Sequence, residues 1–216
     1  MRRMRFVAAV TAAFVGFGVL LAPPATAETR SALSLLRSLT VTPERPAGYD
    51  RDLFPHWDYV GRDCDVRDLV LIRQARRGPS TGASCPVGRG VWFSAFDGVT
   101  VRNPSELDID HLVALSEAWA SGAHRWSTSQ REAFANDLGY RRSLIAVTAS
   151  SNRSKGDQDP AEWLPPRASY RCTYVSGWIA VKWRWRLSID ATEDAALRVL
   201  VTACGNPRIK APARAR

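Results

Sequence analysis

The chain lacks the short signatures of several large enzyme classes. It has no Walker loop, no His-Glu-x-x-His and no Gly-x-Gly-x-x-Gly, which weighs against a P-loop nucleotide binder, a zinc protease and a dinucleotide-binding unit. Histidine is scarce, with three in 216 residues, and none of the four cysteines is spaced Cys-x-x-Cys, so a zinc site has no ligand pattern to stand on. Acidic residues are outnumbered, 21 against 30 basic, leaving a net charge of +9. No internal repeat and no linker interrupt the chain beyond its first 27 residues.

Those 27 residues have the parts of a secretory signal: "MRRMR" as a basic start, an apolar middle, and an exit through Pro23, Pro24 and an Ala-Thr-Ala site. The apolar stretch, residues 6–22, is as short as the shortest spanning helices and lacks a basic stop, so cleavage after Ala27, secretion and no lasting membrane association are expected. Residues 28–205 then make one domain, and the basic, Pro- and Ala-rich 206–216 a flexible tail. Loss of Arg2, Arg3 and Arg5 leaves the chain basic. That charge suits a polyanionic partner such as nucleic acid, acidic cell-wall polymer or anionic membrane, and equally a surface kept for solubility. Four cysteines in an exported chain imply two disulfides. Three connectivities exist; the sequential pairs Cys64 with Cys85 and Cys172 with Cys204 close local loops, each stabilising by roughly 3 to 4 kcal/mol in the chain-entropy model.

Periodicity predicts helices in "SALSLLRSL" (31–39), "VRDLVLIRQAR" (66–76) and "STSQREAFANDL" (127–138), the last with Ser129 and Glu132 as a capping box. "GVWFSAFDGVTV" (90–101) reads as a hairpin turning at Asp97-Gly98. "ELDID" and "SLIAVTAS" (143–150) read as strands. "YRCTYVSGWIAVKWRWRL" and "TEDAALRVLVTAC" read as two more helices, tied by Cys172 and Cys204.

Hydrolysis of a phosphodiester needs a group to deprotonate water, a hard cation, and oxygen ligands to hold it. "DIDHLVAL" sets Asp110 beside His111, and "SSNRSKGDQDP" supplies Asn152 at a strand-to-helix junction. An imidazole can take a proton near neutral pH, and a carboxylate with an amide oxygen suits Mg²⁺. In a regular strand Asp110 and His111 face opposite ways, so their convergence requires the strand to end or twist there.

These two segments resemble the ββα-metal motif of HNH endonucleases. The run through "AEWLPP" is similar to secreted HNH-family proteins related to the C-terminal nuclease domain of the GmrSD restriction enzyme. The motif core covers about 106–160. The resemblance implies an α+β fold, a ββα-metal core wrapped by helices, and an endonuclease cleaving DNA. Low sequence specificity is expected because no base-reading module remains once that core is assigned, and with the signal segment the reading is of a secreted monomer. The resemblance also implies one divalent ion, Mg²⁺ or else Mn²⁺, held by Asp110 and Asn152, with His111 as general base. Arg153 and Lys155, by their charge at a helix start, suit phosphate. The chain departs from its relatives at Ala114, where many have proline, and at Ser143, where the motif's middle asparagine, which by the resemblance bonds and steadies the loop around the histidine, would fall. Ser143 can make a weaker version of that bond, and Asn136 is the other candidate. The competing reading is a non-catalytic secreted protein that binds nucleic acid or cell-wall polyanion.

Glu117, within two turns of His111, is a further supporting candidate, and Asp108 shares a strand face with Asp110. His56 and His124 read as surface or packing residues. Trp178, Trp183 and Trp185, interleaved with Lys182, Arg184 and Arg186, resemble base-stacking aromatics, but residues 178, 181 and 185 share a helical face, which favours a packed side with a basic outer one.

Overall fold

The computed structural model describes residues 28–61, 63–80, 85 and 87–215; the signal segment expected at 1–27 lies outside them. In chain order the elements are β1 (Thr29–Ser31), α1 (Ala32–Leu36), β2 (Tyr59–Gly61), β3 (Cys64–Asp65), α2 (Val66–Gln74), β4 (Trp92–Phe93), β5 (Thr100–Val101), β6 (Leu107–His111), α3 (Leu115–Ala120), α4 (Thr128–Ala135), β7 (Leu144–Thr148), α5 (Ala149–Lys155), α6 (Ala168–Trp185), α7 (Ala191–Ala203) and β8 (Arg208–Lys210). The fold is α+β, and its strands form four separate antiparallel pairs.

The centre is the ribbon of β6 and β7, paired from Leu107 with Thr148 to His111 with Leu144. Alternation along a strand gives it two apolar faces. Leu107, Ile109, Leu144 and Ala146 pack with Val66, Val70 and Leu71 of α2. Ile145 and Val147, on the other face, join the main core with Tyr174, Val175 and Trp178 of α6. Both faces are covered: β7 is apolar from Leu144 to Val147, and β6 sets Leu107 and Ile109 against α2 but also carries Asp108, Asp110 and His111. Those three are the residues that cost most to bury and so need a local reason to be there.

α5 follows β7 without a loop. Thr148 caps it, its hydroxyl accepting from Ser151 N, and Asp97 of the β4–β5 turn accepts from the Thr148 and Ser151 hydroxyls, the latter at 2.8 Å. That turn needs Gly98, whose φ of 81° other residues rarely adopt.

Cys64 is bonded to Cys85 and Cys172 to Cys204. Two local expectations are corrected. The box that caps α4 uses Ser127 and Gln130, not Ser129 and Glu132, because the helix starts at Thr128. The segment expected as a loose tail is held. β8 pairs with β1, Ala211 N donates to Glu28 O, Arg184 donates to Ala213 O, and the Arg214 guanidinium lies 3.9 Å from the centre of the Trp183 ring. Short of an apolar period, these residues are fixed by backbone pairing and cation–π contact instead.

On α6, Trp178 and Trp185 are buried with Val181 as the helical face predicts, but Lys182 does not belong to a basic outer face. It is fully buried, donating to Glu117 Oε1, to Glu193 Oε2 at 2.7 Å, and to Ser121 Oγ at 2.8 Å.

Candidate active site

A cleft of about 200 Å³ opens at the C-terminal end of β6, lined among others by Asp110, His111, Asn152, Arg153, Arg51 and Tyr49. Asp110 and His111 do lie on opposite faces of the ribbon, as strand geometry demands. Both reach one cleft because β6 ends at His111. Asn152 comes from the middle of α5, not its first residue, since the helix begins three positions earlier, directly after the strand.

Each of the three has one atom spent and one left over. The His111 Nε2 lies 2.8 Å from Ala135 O; a carbonyl only accepts, so Nε2 carries the proton and Nδ1 the lone pair. Burial pushes the imidazole down to about 3, against the pull of the Ala135 carbonyl, so the ring is neutral at every ordinary pH. The Asp110 Oδ1 accepts from Lys155 Nζ at 2.6 Å, while Oδ2 is buried with no partner. Burial raises the Asp110 carboxyl and Lys155 pulls it back. The Asn152 Nδ2 donates to Asp108 Oδ2 at 3.2 Å, which turns Oδ1 the other way. Asp110 with its orphaned carboxylate oxygen, Asn152 with its amide oxygen and His111 with a free imidazole nitrogen are thus residues of one small cleft. The two oxygens are hard donors of the kind Mg²⁺ or Mn²⁺ accepts, so the residues fit such an ion.

Other expected site residues fall differently. Lys155 is not a phosphate ligand: it is fully buried, bridging Asp110 Oδ1 and, at 3.0 Å, His111 O. It and Arg153 sit in the last turn of α5, so neither shares an anion site with the helix N-terminus, although Arg153 is exposed on the cleft. Ser143 does not bond His111; its hydroxyl donates to Asp137 Oδ2 at 2.7 Å. Glu117 belongs to the Lys182 cluster. That cluster, Glu44, Glu117 and Glu193, has the spacing of a metal-binding acidic group, but the Lys182 ammonium already fills it.

The work expected of a motif asparagine is done one residue from Ala135. Asn136 accepts from Asp58 N at 2.9 Å and donates to Pro55 O and Glu132 O, joining the end of α4 to the 55–58 loop. That loop carries Trp57, whose ring stacks on His111 at 5.4 Å and 20°. His56 beside it is tied at both nitrogens, Nδ1 to Phe54 O at 2.6 Å and Nε2 to the Arg51 guanidinium at 3.1 Å. Sequence reasoning offered Asn136 as the second candidate for this work, after Ser143, and missed Trp57 and Arg51. The one available signal was the density of aromatic and turn residues in "GYDRDLFPHWDY".

Fold and cleft together define a disulfide-linked α+β protein with a carboxylate, an amide and an imidazole converging at a strand-to-helix unit. A family model of the C-terminal domain of GmrSD restriction endonucleases matches residues 92–199, which span the ribbon, α5 and the cleft residues 109–157. An "Uncharacterized secreted protein" of Arthroderma benhamiae is 47% identical over 183 residues, covering 84% of this chain and 89% of that one. No solved structure matches. The chain belongs to the GmrSD restriction endonuclease C-terminal domain family.

Proposed function

We propose that the protein is a secreted endonuclease of the HNH type, with β6, β7 and α5 as its ββα-metal core, that hydrolyses phosphodiester bonds in DNA with little sequence preference. The observation that carries this reading is the partnerless Asp110 Oδ2 in the same cleft as the Nδ1 lone pair of His111. Asp110 and Asn152 would hold one divalent ion, Mg²⁺ or Mn²⁺. When bound, such an ion acidifies water and neutralises charge on the phosphate and leaving oxygen.

The protein's own groups do the rest. The His111 Nδ1 takes the proton from the attacking water, and the Ala135 carbonyl on Nε2 holds the ring's tautomer and steadies the imidazolium that forms. Trp57 fixes the ring plane. Arg153 and Arg51 on the cleft wall pair with phosphate oxygens and set the backbone's position.

The refolded, oxidised protein should nick plasmid in Mg²⁺ or Mn²⁺ and stop in EDTA. His111→Ala should lower the rate by roughly 10²- to 10⁴-fold, the usual worth of a general base. Nicking that ignores EDTA, or that survives His111→Ala, sinks the proposal.

A further inference from the structure

Across the ribbon from the cleft, three adjoining hollows of about 380, 310 and 400 Å³ share their walls. Arg141 lines all three, Gln74 joins the first to the second, and Arg142 the second to the third. Six cations face this furrow: Arg73, Arg76, Arg141, Arg142, Arg208 and Lys210. None is in an ion pair among the described residues. The one acid on the walls, Asp137, does not cancel them, because both its oxygens are taken by Arg184, Ser143 and Trp185. Surfaces ordinarily intersperse the two signs, so six uncompensated cations along one furrow mark a place for a polyanion.

The furrow also carries ring faces. Tyr140 and Tyr170 line it; Phe93 does too, but its ring is already covered by the Arg76 and Arg167 guanidinium groups, 3.7 and 4.7 Å from its centre. A duplex offers a protein phosphates and groove edges but no free base faces, because its bases are stacked on each other. Aromatic faces among guanidinium groups suit an unpaired strand, whose bases are free to stack. Each hollow is also near the small end of the range that takes a compact ligand group.

Its position is as informative as its chemistry. Leu144, Ile145 and Ala146 border the furrow, and their register partners His111, Asp110 and Ile109 border the cleft. We infer that the furrow is a binding track for single-stranded nucleic acid, separate from the cleft and one strand of the ribbon away from it. The inference rests on the nuclease reading for its ligand class.

The test uses the full oxidised protein carrying His111→Ala and a fluorescein-labelled 20-residue thymidine oligonucleotide, followed by anisotropy at several salt concentrations. Arg141→Glu with Arg142→Glu should weaken binding at least tenfold. It should also make the slope of log K against log salt shallower by about 1.4, since each lost single-strand phosphate contact is worth about 0.7. Arg73→Glu with Arg76→Glu, at the other end of the furrow, should do the same, which guards against a folding defect in either pair. Unchanged affinity and slope in both pairs overturns the track. A loss confined to a 20-base-pair duplex overturns its single-strand character. The two readings fail separately: a protein that never nicks plasmid but shows these losses refutes the nuclease and keeps the track, and nicking without any such loss does the reverse.

Discussion

Lys155 shows how a single side chain can read one way in a sequence and work another in a fold. Between Ser154 and Gly156, in a basic chain, its charge suggests an exposed phosphate contact; in the structure it is the cation that makes Asp110 tolerable inside the protein. Removing one partner of such a buried pair leaves an uncompensated charge, which costs roughly 3 to 5 kcal/mol. Lys155→Met should therefore lower the melting temperature by about 6 to 20 °C, at the 2 to 4 °C per kcal/mol of a domain this size. Adding Asp110→Asn should recover much of the loss. Calorimetry that finds Lys155→Met within 2 °C of the parent would remove Lys155 from this role. Asp110, His111 and Asn152 could be picked out as candidates, and as neighbours in one cleft, because their chemistry is local to two short segments. The Ala135 carbonyl was not, since every residue has one and only folding decides which carbonyl faces a ring.

The elements that build the site were largely legible where they are long or sharply punctuated. The Asp97-Gly98 turn, the β6 and β7 strands and the two C-terminal helices follow from turn chemistry and period. β1 and β8, at three residues each, are too short for a period, and their partner lies at the far end of the chain. The expected turn proved to have a second use that its dipeptide does not announce, since Asp97 ties the hairpin to the first turn of α5. Asp97→Ala strands two buried or half-buried hydroxyls and frees the start of the helix that carries Asn152, at a cost of about 1 to 3 kcal/mol. The expected outcome is a lower melting temperature together with weaker Mn²⁺ binding by isothermal titration. Ion binding unchanged in Asp97→Ala would show that α5 holds its place without the turn.

At the scale of the molecule, two groups of buried charge pull its acid and alkaline limits in opposite directions. Burial holds His111 down near 3, so between the ordinary imidazole value of 6.5 and that point the unfolded chain binds more protons than the folded one. Stability from this residue is complete above about 6.5 and is lost as pH falls toward 3. Glu44 and Glu193, raised by burial from 4.5 to about 8 and about 7, behave the other way. Crowded with Glu117 around the one ammonium of Lys182, they favour the folded state most at low pH and withdraw that support as pH rises through 7 to 8. The two windows, about 3 to 6.5 and 4.5 to about 8, overlap, and melting temperature should peak within the overlap. Glu44→Gln should flatten the alkaline fall, and His111→Ala should flatten the acid one. Profiles from pH 4 to 9 that superimpose on the parent would show that neither group governs the limit. Composition announced the excess of basic residues, but not that one lysine would be spent inside a cage of acids.

The pairing of β1 with β8 joins residues as much as 181 positions apart, Thr29 with Lys210, against 44 for the bond between Asn152 and Asp108. Closing the larger loop is about two doublings of span, which adds only about 1.2 kcal/mol of chain entropy. In kinetic terms the seam is expected to zip late, after the ribbon, whose partners lie closer in the chain. The cleft can form and hold its shape while the two ends of the described chain are still finding one another, and a protease or a deuterated solvent should meet the seam first and the ribbon last.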